Sequence, residues 1–177
     1  MAELRSFIFL NRLQPQTMCY LGTWIRGSLP RSDVAAQIIE VAPGLDIEPL
    51  TDVALKHAGV RAAGSAVLEA LGVSAVSATR PVVLASKIIS MLDPQHAFLI
   101  NRNKIGSMAI AGESLFVLEM QPASYAILAA NEAEKAARIK VVDYRMIGAT
   151  GRVYLSGAEA DVRQAAGAAE DALRSLA

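Results

Sequence analysis

The chain has 177 residues, 53% of them hydrophobic, enough to bury the core of one ordinary domain or two small ones. Seventeen Lys and Arg balance seventeen Asp and Glu, which excludes the net field that would draw the chain to nucleic acid. The single cysteine, Cys19, excludes an intrachain disulfide, and no apolar run approaches the ~20 residues needed to cross a bilayer. The opening "MAELRSFIFLNR" mixes acid and base where a signal peptide needs a basic start, so a cytoplasmic protein without membrane or nucleic-acid partners is expected.

Taken in chain order, the elements fall into an internal repeat. "FLNRLQPQTMCYLG" (Phe9 to Gly22) matches "LINRNKIGSMAIAG" (Leu99 to Gly112) at an offset of 90, aligning Asn11 with Asn101 and Arg12 with Arg102. Each Asn-Arg pair is expected to end a strand at the rim of its domain, where the planar guanidinium suits the carbonyls of an adjoining subunit. "IIEVAPGLDIEPLTDVALKHA" (Ile38 to Ala58) then matches Val117 to Ala137 at an offset of 79, pairing Glu40 with Glu119, Pro43 with Pro122 and Lys56 with Lys135. The difference, 90 − 79 = 11, assigns a longer loop, "TWIRGSLPRSD", to the first copy. Finally "VRAAGSAVLEAL" (Val60 to Leu71) matches Val162 to Leu173 at an offset of 102, so 102 − 79 = 23 residues of the second copy have no counterpart in the first.

Those residues lie within Arg138 to Asp161. There "IKVVDYRMI" reads as a strand, "GATG" as a turn and "RVYLSG" as a returning strand. Pro122 opens a helix over 122–137, and Gly157 separates the returning strand from a last helix over 158–176. The second copy therefore reads as hairpin "AFLINRNKIGSMAI", strand "SLFVLEM", helix, two strands, helix. With a further strand supplied from the front, this is a ferredoxin-like α/β (α+β) sandwich whose last strand has moved to the N-terminus. Two such domains in tandem are expected, over 1–93 and 94–177, the first lacking its central hairpin between 58 and 64.

Candidate chemistry is sparse. "IGATGRV" has the glycines of a dinucleotide-binding turn, but the strand-like "RVYLSG" follows where a helix must begin. His57 and His96 lie far from Cys19 and from each other, so no metal site or cofactor is expected, and Cys19 reads as a buried inert thiol. The acid pairs Asp46 with Glu48 and Glu132 with Glu134 read as solvated or first-turn carboxylates. No nucleophile, base and orienting group come together, so no catalytic residue is assigned. Lys56 and Lys135 recur at the end of the first helix of each copy, where a cation is favourable. Duplicated rim charges suggest edge-to-edge assembly; the alternative is a tandem ferredoxin-like regulatory domain that binds a small effector between subunits.

The segments "LQPQTMCYLGT", "IIEVAPGLDIEPLTDVALKHA", "KIISMLDPQHAFLINRNKIGSM" and "GESLFVLEMQPASYAILAANEAEKAARIKVVDYRMIGATGRVYLSG" resemble the bacterial microcompartment shell proteins. The resemblance is to tandem-domain trimers with circularly permuted domains, of the gated carboxysome and metabolosome type. It implies a homotrimer forming a flat pseudohexameric tile, joined through its edges to other shell proteins, hexamers and pentamers, in a shell within the bacterial cytoplasm. Two trimers would in some cases stack. By position, the resemblance gives Lys56, Lys135, Arg12 and Arg102 to the tile edges, together with Asn11 and Asn101. It gives Ile147, Gly148, Ala149, Thr150 and Gly151 to the pore on the three-fold axis. The Glu-Arg gate of the family lies on the hairpin that the first copy lacks. Of a mobile hairpin omitted, a deliberate deletion and a natural loss, the first is favoured, and it predicts a Cα gap well above ~3.8 Å between Ala58 and Gly64.

Overall fold

The computed structural model describes residues 2–24, 31–104 and 106–176. Part of the loop "TWIRGSLPRSD" and Ile105 of the expected 97–110 hairpin lie outside the described residues. The first half contains β1 (Glu3–Leu10), α1 (Pro15–Trp24), β2 (Ala36–Ala42), α2 (Ile47–Leu55) and α3 (Val60–Leu71). The second contains β3 (Val82–Ile89), α4 (Pro94–Asn103), β4 (Ser114–Gln121), α5 (Tyr125–Ala136), β5 (Lys140–Arg145), β6 (Gly151–Gly157) and α6 (Glu159–Arg174). β1 and β2 form a two-stranded antiparallel sheet, and the second half forms an antiparallel sheet in the order β3-β4-β6-β5. The β5-turn-β6 unit and its flanking helices lie where hydrophobic alternation and turn residues predict them.

The expected 97–110 hairpin is instead α4 followed by a loop. Asp93 caps this helix by accepting the N–H groups of Gln95 (2.8 Å) and His96 (3.3 Å), and Pro94 occupies its first turn. The Asp-Pro start outweighs the strand character of "FLI", because cap and fixed φ act together at the nucleus of the helix. Its presence corrects the repeat. β1 and β3, α1 and α4, β2 and β4 all correspond at an offset of 79. So do the bulges at Leu4/Ser6 and Val83/Ala85 and the cis bonds before Pro43 and Pro122. The 90-residue offset and the 11-residue insertion therefore disappear. Asn101 and Arg102 stand in the last turn of α4, not at a strand end, and Ser90 and Met91 occupy the places equivalent to Asn11 and Arg12.

Because Val82 to Ile89 pair with Leu115 to Gln121, β3 belongs to the second sheet. The division between the halves falls between Ala78 and Val82 rather than at 93. At the short end of the first half, α2 passes into α3 through Lys56 to Gly59. Lys56 and His57 donate to Val53 and Ala54, each at 3.2 Å, and Gly59 takes φ 89° before Ala63 donates back to it at 3.0 Å. A positive φ of that size suits glycine, which lacks the Cβ that would clash. Among the described residues no strand separates the two helices.

The largest core does not respect the division between halves. Ile8 and Leu10 from β1, with Leu13, Tyr20 and Leu21, pack with Phe116, Leu118 and Leu155 of the second sheet and with the Ala-rich α5 and α6. Ala126, Ala129, Ala130 and Ala133 on α5, and Ala165 and Ala169 on α6, are fully buried. Small side chains let the two helices lie close on the sheet. The first half keeps a smaller core of its own, built from Leu4, Val41, Leu50, Val67 and Leu71. Burial thus ties β1 and α1 to the second half as well as to their own.

Candidate functional site

The contact between the halves is rich in hydrogen bonds. Helix α1 begins at Pro15 with no acidic residue in its first turn, leaving amide N–H groups that need acceptors. Glu134 of α5 supplies them. Its carboxylate accepts from the Gln16 N–H (2.8 Å), the Thr17 N–H (2.8 Å) and the Thr17 hydroxyl (2.9 Å). Asn131, fully buried one turn earlier, accepts from the Gln14 N–H at 2.8 Å and donates to the Arg12 carbonyl at 3.1 Å. An anion at a helix N-terminus gains from both the free N–H groups and the helix dipole. Glu134 is therefore a structural cap, which its place in the Glu132, Glu134 pair did not reveal.

Further along the same seam, the Gln16 side chain bridges to the Ile139 carbonyl (2.8 Å) and the Val141 N–H (2.9 Å). The Tyr144 hydroxyl donates to the Thr17 carbonyl at 2.8 Å, and the Tyr20 hydroxyl donates to Asp143. Burial and then the Asp143 carboxylate push the Tyr20 hydroxyl well above the usual phenol range, so it remains a donor at neutral pH. Asp143 also forms a buried ion pair with Lys104, at 2.7 Å, whose ammonium lies 3.8 Å from the centre of the Tyr154 ring.

Three of the six expected edge residues come together beside the seam between the halves. Lys135 donates to Asn11 at 2.8 Å and pairs with Glu132 at 2.7 Å, while the neighbouring Arg12 is exposed and pairs with Asp33 at 2.5 Å. Lys56 lies apart from them at the end of α2, exposed and paired with Asp52 one turn earlier at 2.5 Å. Asn101 instead braces a loop, exchanging two hydrogen bonds of 2.9 Å with the Ala109 backbone. Arg102 lies exposed over Phe98 on α4.

The expected pore residues form the turn between β5 and β6. Ile147 is exposed at its tip, and Gly148 has φ 125°. Thr150 and Arg152 both donate to Glu119 on β4, at 2.9 and 3.0 Å, anchoring the base of the turn. These hydrogen bonds, Thr150's first, hold the Glu119 carboxyl below the usual carboxylate range. At Gly151 any Cβ would lie 2.4 Å from the Ala123 carbonyl oxygen, so only glycine lets the turn close onto the start of α5.

Cys19 is exposed, contrary to the expectation of a buried thiol, because it points from α1 into a cleft of about 410 Å³ bordered by Gly106, Ser107 and Val141. His57 and His96 are both exposed. Among the described residues, no three His, Cys, Asp or Glu side chains gather as metal ligands would. No described helix is long and apolar enough to cross a membrane.

Two permuted, fused α/β units with a glycine-rich turn at the end of one sheet define a class, the tandem permuted shell-protein fold. Residues 4–80 match the family model of the CsoS1D N-terminal domain, and residues 114–177 match that of the BMC domain. The chain belongs to the carboxysome and microcompartment shell-protein family. It is 42% identical over 198 aligned residues to the carboxysome shell protein CcmP of Synechococcus elongatus, spanning 98% of this chain and 93% of CcmP. It is 39% identical over 201 residues to the carboxysome shell protein CsoS1D of Hydrogenovibrio crunogenus, spanning 99% and 98% of the two chains. Among solved structures, the fused permuted hexameric shell protein MSM0275 of the RMM microcompartment is 66% identical, with a TM-score of 0.96 and 98% of each chain covered. The double-ringed trimeric shell protein MSM0271 of the same microcompartment is 36% identical, with a TM-score of 0.93 over 99% and 98% of the two chains. The alignment with CcmP is 198 − 177 = 21 positions longer than this chain, so CcmP carries residues without a counterpart here.

Proposed function

We propose that the protein is a structural tile of a bacterial microcompartment shell, a homotrimer whose six domains form a ring around a pore. The observation that carries this reading is the seam between the halves. It joins the β1/α1 surface of one repeat to the α5 surface of the next, two unlike surfaces on one kind of domain. Each chain therefore retains one unused surface of each kind, β3/α4 at one end and α2 at the other. Repetition of such a head-to-tail contact closes a ring when its rotation permits. Unlike its equivalents in the seam, the free β3/α4 surface is uncovered: Ile89 is 36% and Leu99 56% exposed, against 1% for Leu10 and 4% for Tyr20.

The turn Ile147 to Gly151 is proposed to line the pore, where backbone N–H groups and the Thr150 hydroxyl would favour small polar or anionic metabolites over larger apolar ones. Lys56, Lys135, Asn11 and Arg12 are proposed to join tile edges with each other and with hexameric and pentameric shell proteins. Arg102 on α4, set apart from these residues, is the weaker edge candidate, and Asn101 serves its own loop. The role is permeation and enclosure rather than catalysis. Native mass spectrometry and electron microscopy of the purified full chain test this: trimers and hexagonal discs or sheets support it, and dispersed monomers or dimers oppose it. Face-to-face discs in side view would show stacking of two trimers.

A further inference from the structure

The two seams of such a ring cannot be alike, because the residues that finish them differ. Across the internal seam, α1 has Gln14 before its first turn, no acid of its own, and is capped by Glu134 from the facing helix. At the offset of 79 that relates the halves, Gln14 becomes Asp93 and Glu134 becomes Leu55. Asp93 caps α4 from within, satisfying the Gln95 and His96 N–H groups. The facing position then needs no acceptor, and Leu55 is a leucine left 81% exposed on α2. Beside the capped start of α4, Pro94, Phe98 and Leu99 border an apolar groove of about 340 Å³ with no occupant from its own chain.

We propose a pairing rule built from these four positions: Leu55 of one chain seats at the start of α4 of the next, beside Asp93, Gln95 and His96 as Glu134 seats beside Gln14, Gln16 and Thr17, and the Gln14/Glu134 and Asp93/Leu55 combinations exclude the exchanged pairings. The inference rests on the ring reading above. An exchanged contact of α4 on α5 would place Asp93 beside Glu134, two carboxylates at one helix end. An exchanged contact of α1 on α2 would leave the Gln16 and Thr17 N–H groups facing Leu55 with no acceptor. Each error carries either like-charge repulsion or buried unsatisfied donors, the two costs that make an interface selective. The partner at this seam is thus a second copy of this chain, entering by α2.

The test uses the full chain and native mass spectrometry over a concentration series. The wild type is expected to be trimeric; a monomeric wild type would overturn the ring itself. Leu55→Glu places an acid opposite Asp93 and is expected to raise the concentration for half-trimerisation at least tenfold. Because Leu55 is exposed in the single chain, circular dichroism should show the variant folded. Adding Asp93→Gln reconstructs the Gln14/Glu134 arrangement at the intermolecular seam and is expected to restore trimers. A trimer unaffected by Leu55→Glu, or a double variant no better than the single one, overturns the pairing rule while leaving the wild-type ring standing.

Discussion

Glu134 on α5 and Thr17 on α1 are joined twice, the carboxylate accepting both the Thr17 backbone N–H (2.8 Å) and its hydroxyl (2.9 Å) across 117 residues of sequence. A helix that carries no cap of its own is thereby completed by the other half of the chain, and the two repeats are locked in one arrangement.

Replacing Glu134 should loosen that lock. Hydrogen bonds to a charged group contribute about 1.5–3 kcal/mol each when the donors are otherwise unpaired; Thr17 is buried and Gln16 half-buried. Glu134→Ala is expected to lower unfolding stability by about 2 kcal/mol and Glu134→Gln by about 1 kcal/mol. Urea unfolding supplies the magnitudes. Hydrogen exchange should speed up at Gln16 and Thr17 in both variants; unchanged protection there would show that the carboxylate does not cap α1.

The Lys104 and Asp143 pair is buried, so removing one partner strands the other's charge. Asp143→Asn is expected to cost about 3–5 kcal/mol. Lys104→Met combined with Asp143→Asn should cost less than the single change, because no unpaired charge remains. Thermal unfolding of the three proteins decides it, and equal losses in the single and double variants would contradict a desolvated ion pair.

The Glu119 anchor of the turn makes a pH prediction. Its folded carboxyl titrates below the ordinary value of 4.5, so its contribution is complete above about pH 4.5 and disappears as the pH falls through the depressed folded value. In Thr150→Val the Glu119 titration followed by carboxyl carbon NMR should move up toward the ordinary value. Stability would then depend less steeply on pH in the acid range. An unmoved titration would remove Thr150 as the anchor.

Edge assembly should be separable from ring formation. Lys56 and Lys135 stand at the ends of α2 and α5, and their pairs with Asp52 and Glu132 lie within one helical turn and reach solvent. Lys56→Ala with Lys135→Ala is expected to change folding stability by less than about 1 kcal/mol and to leave trimers intact. Extended sheets seen by electron microscopy should be lost. Unaltered sheets would contradict the edge assignment.

Much of the architecture could be read along the chain because it rests on local chemistry. The alternation of "IKVVDYRMI" and "RVYLSG" about "GATG" marked β5, its turn and β6, and Pro122 and Gly157 bounded the helices on either side. The offsets of 79 and 102 located the shortfall between α2 and α3 to within a few residues. The early part of the repeat was misaligned because four identities at an offset of 90 outweighed the conserved geometry at 79. Strand β3 and helix α4 resemble β1 and α1 in place more than in sequence, Lys87 standing where Ile8 does and Leu99 where Tyr20 does.

The sequence by itself determined that two permuted copies exist and that, among the described residues, the central hairpin is present in only one. Periodicity, turn residues and repeat offsets are properties of short segments, and short segments carry them openly. Only the tertiary structure decided that Glu134 caps a helix 117 residues away, that Tyr20, Asp143 and Lys104 form one buried cluster, and that Leu55 and the Pro94 to Leu99 groove lie uncovered at opposite ends of the seam pattern. Those relationships depend on which surfaces meet, and the free energy of a cap, a buried ion pair or an unfilled groove exists only once distant segments have been packed together.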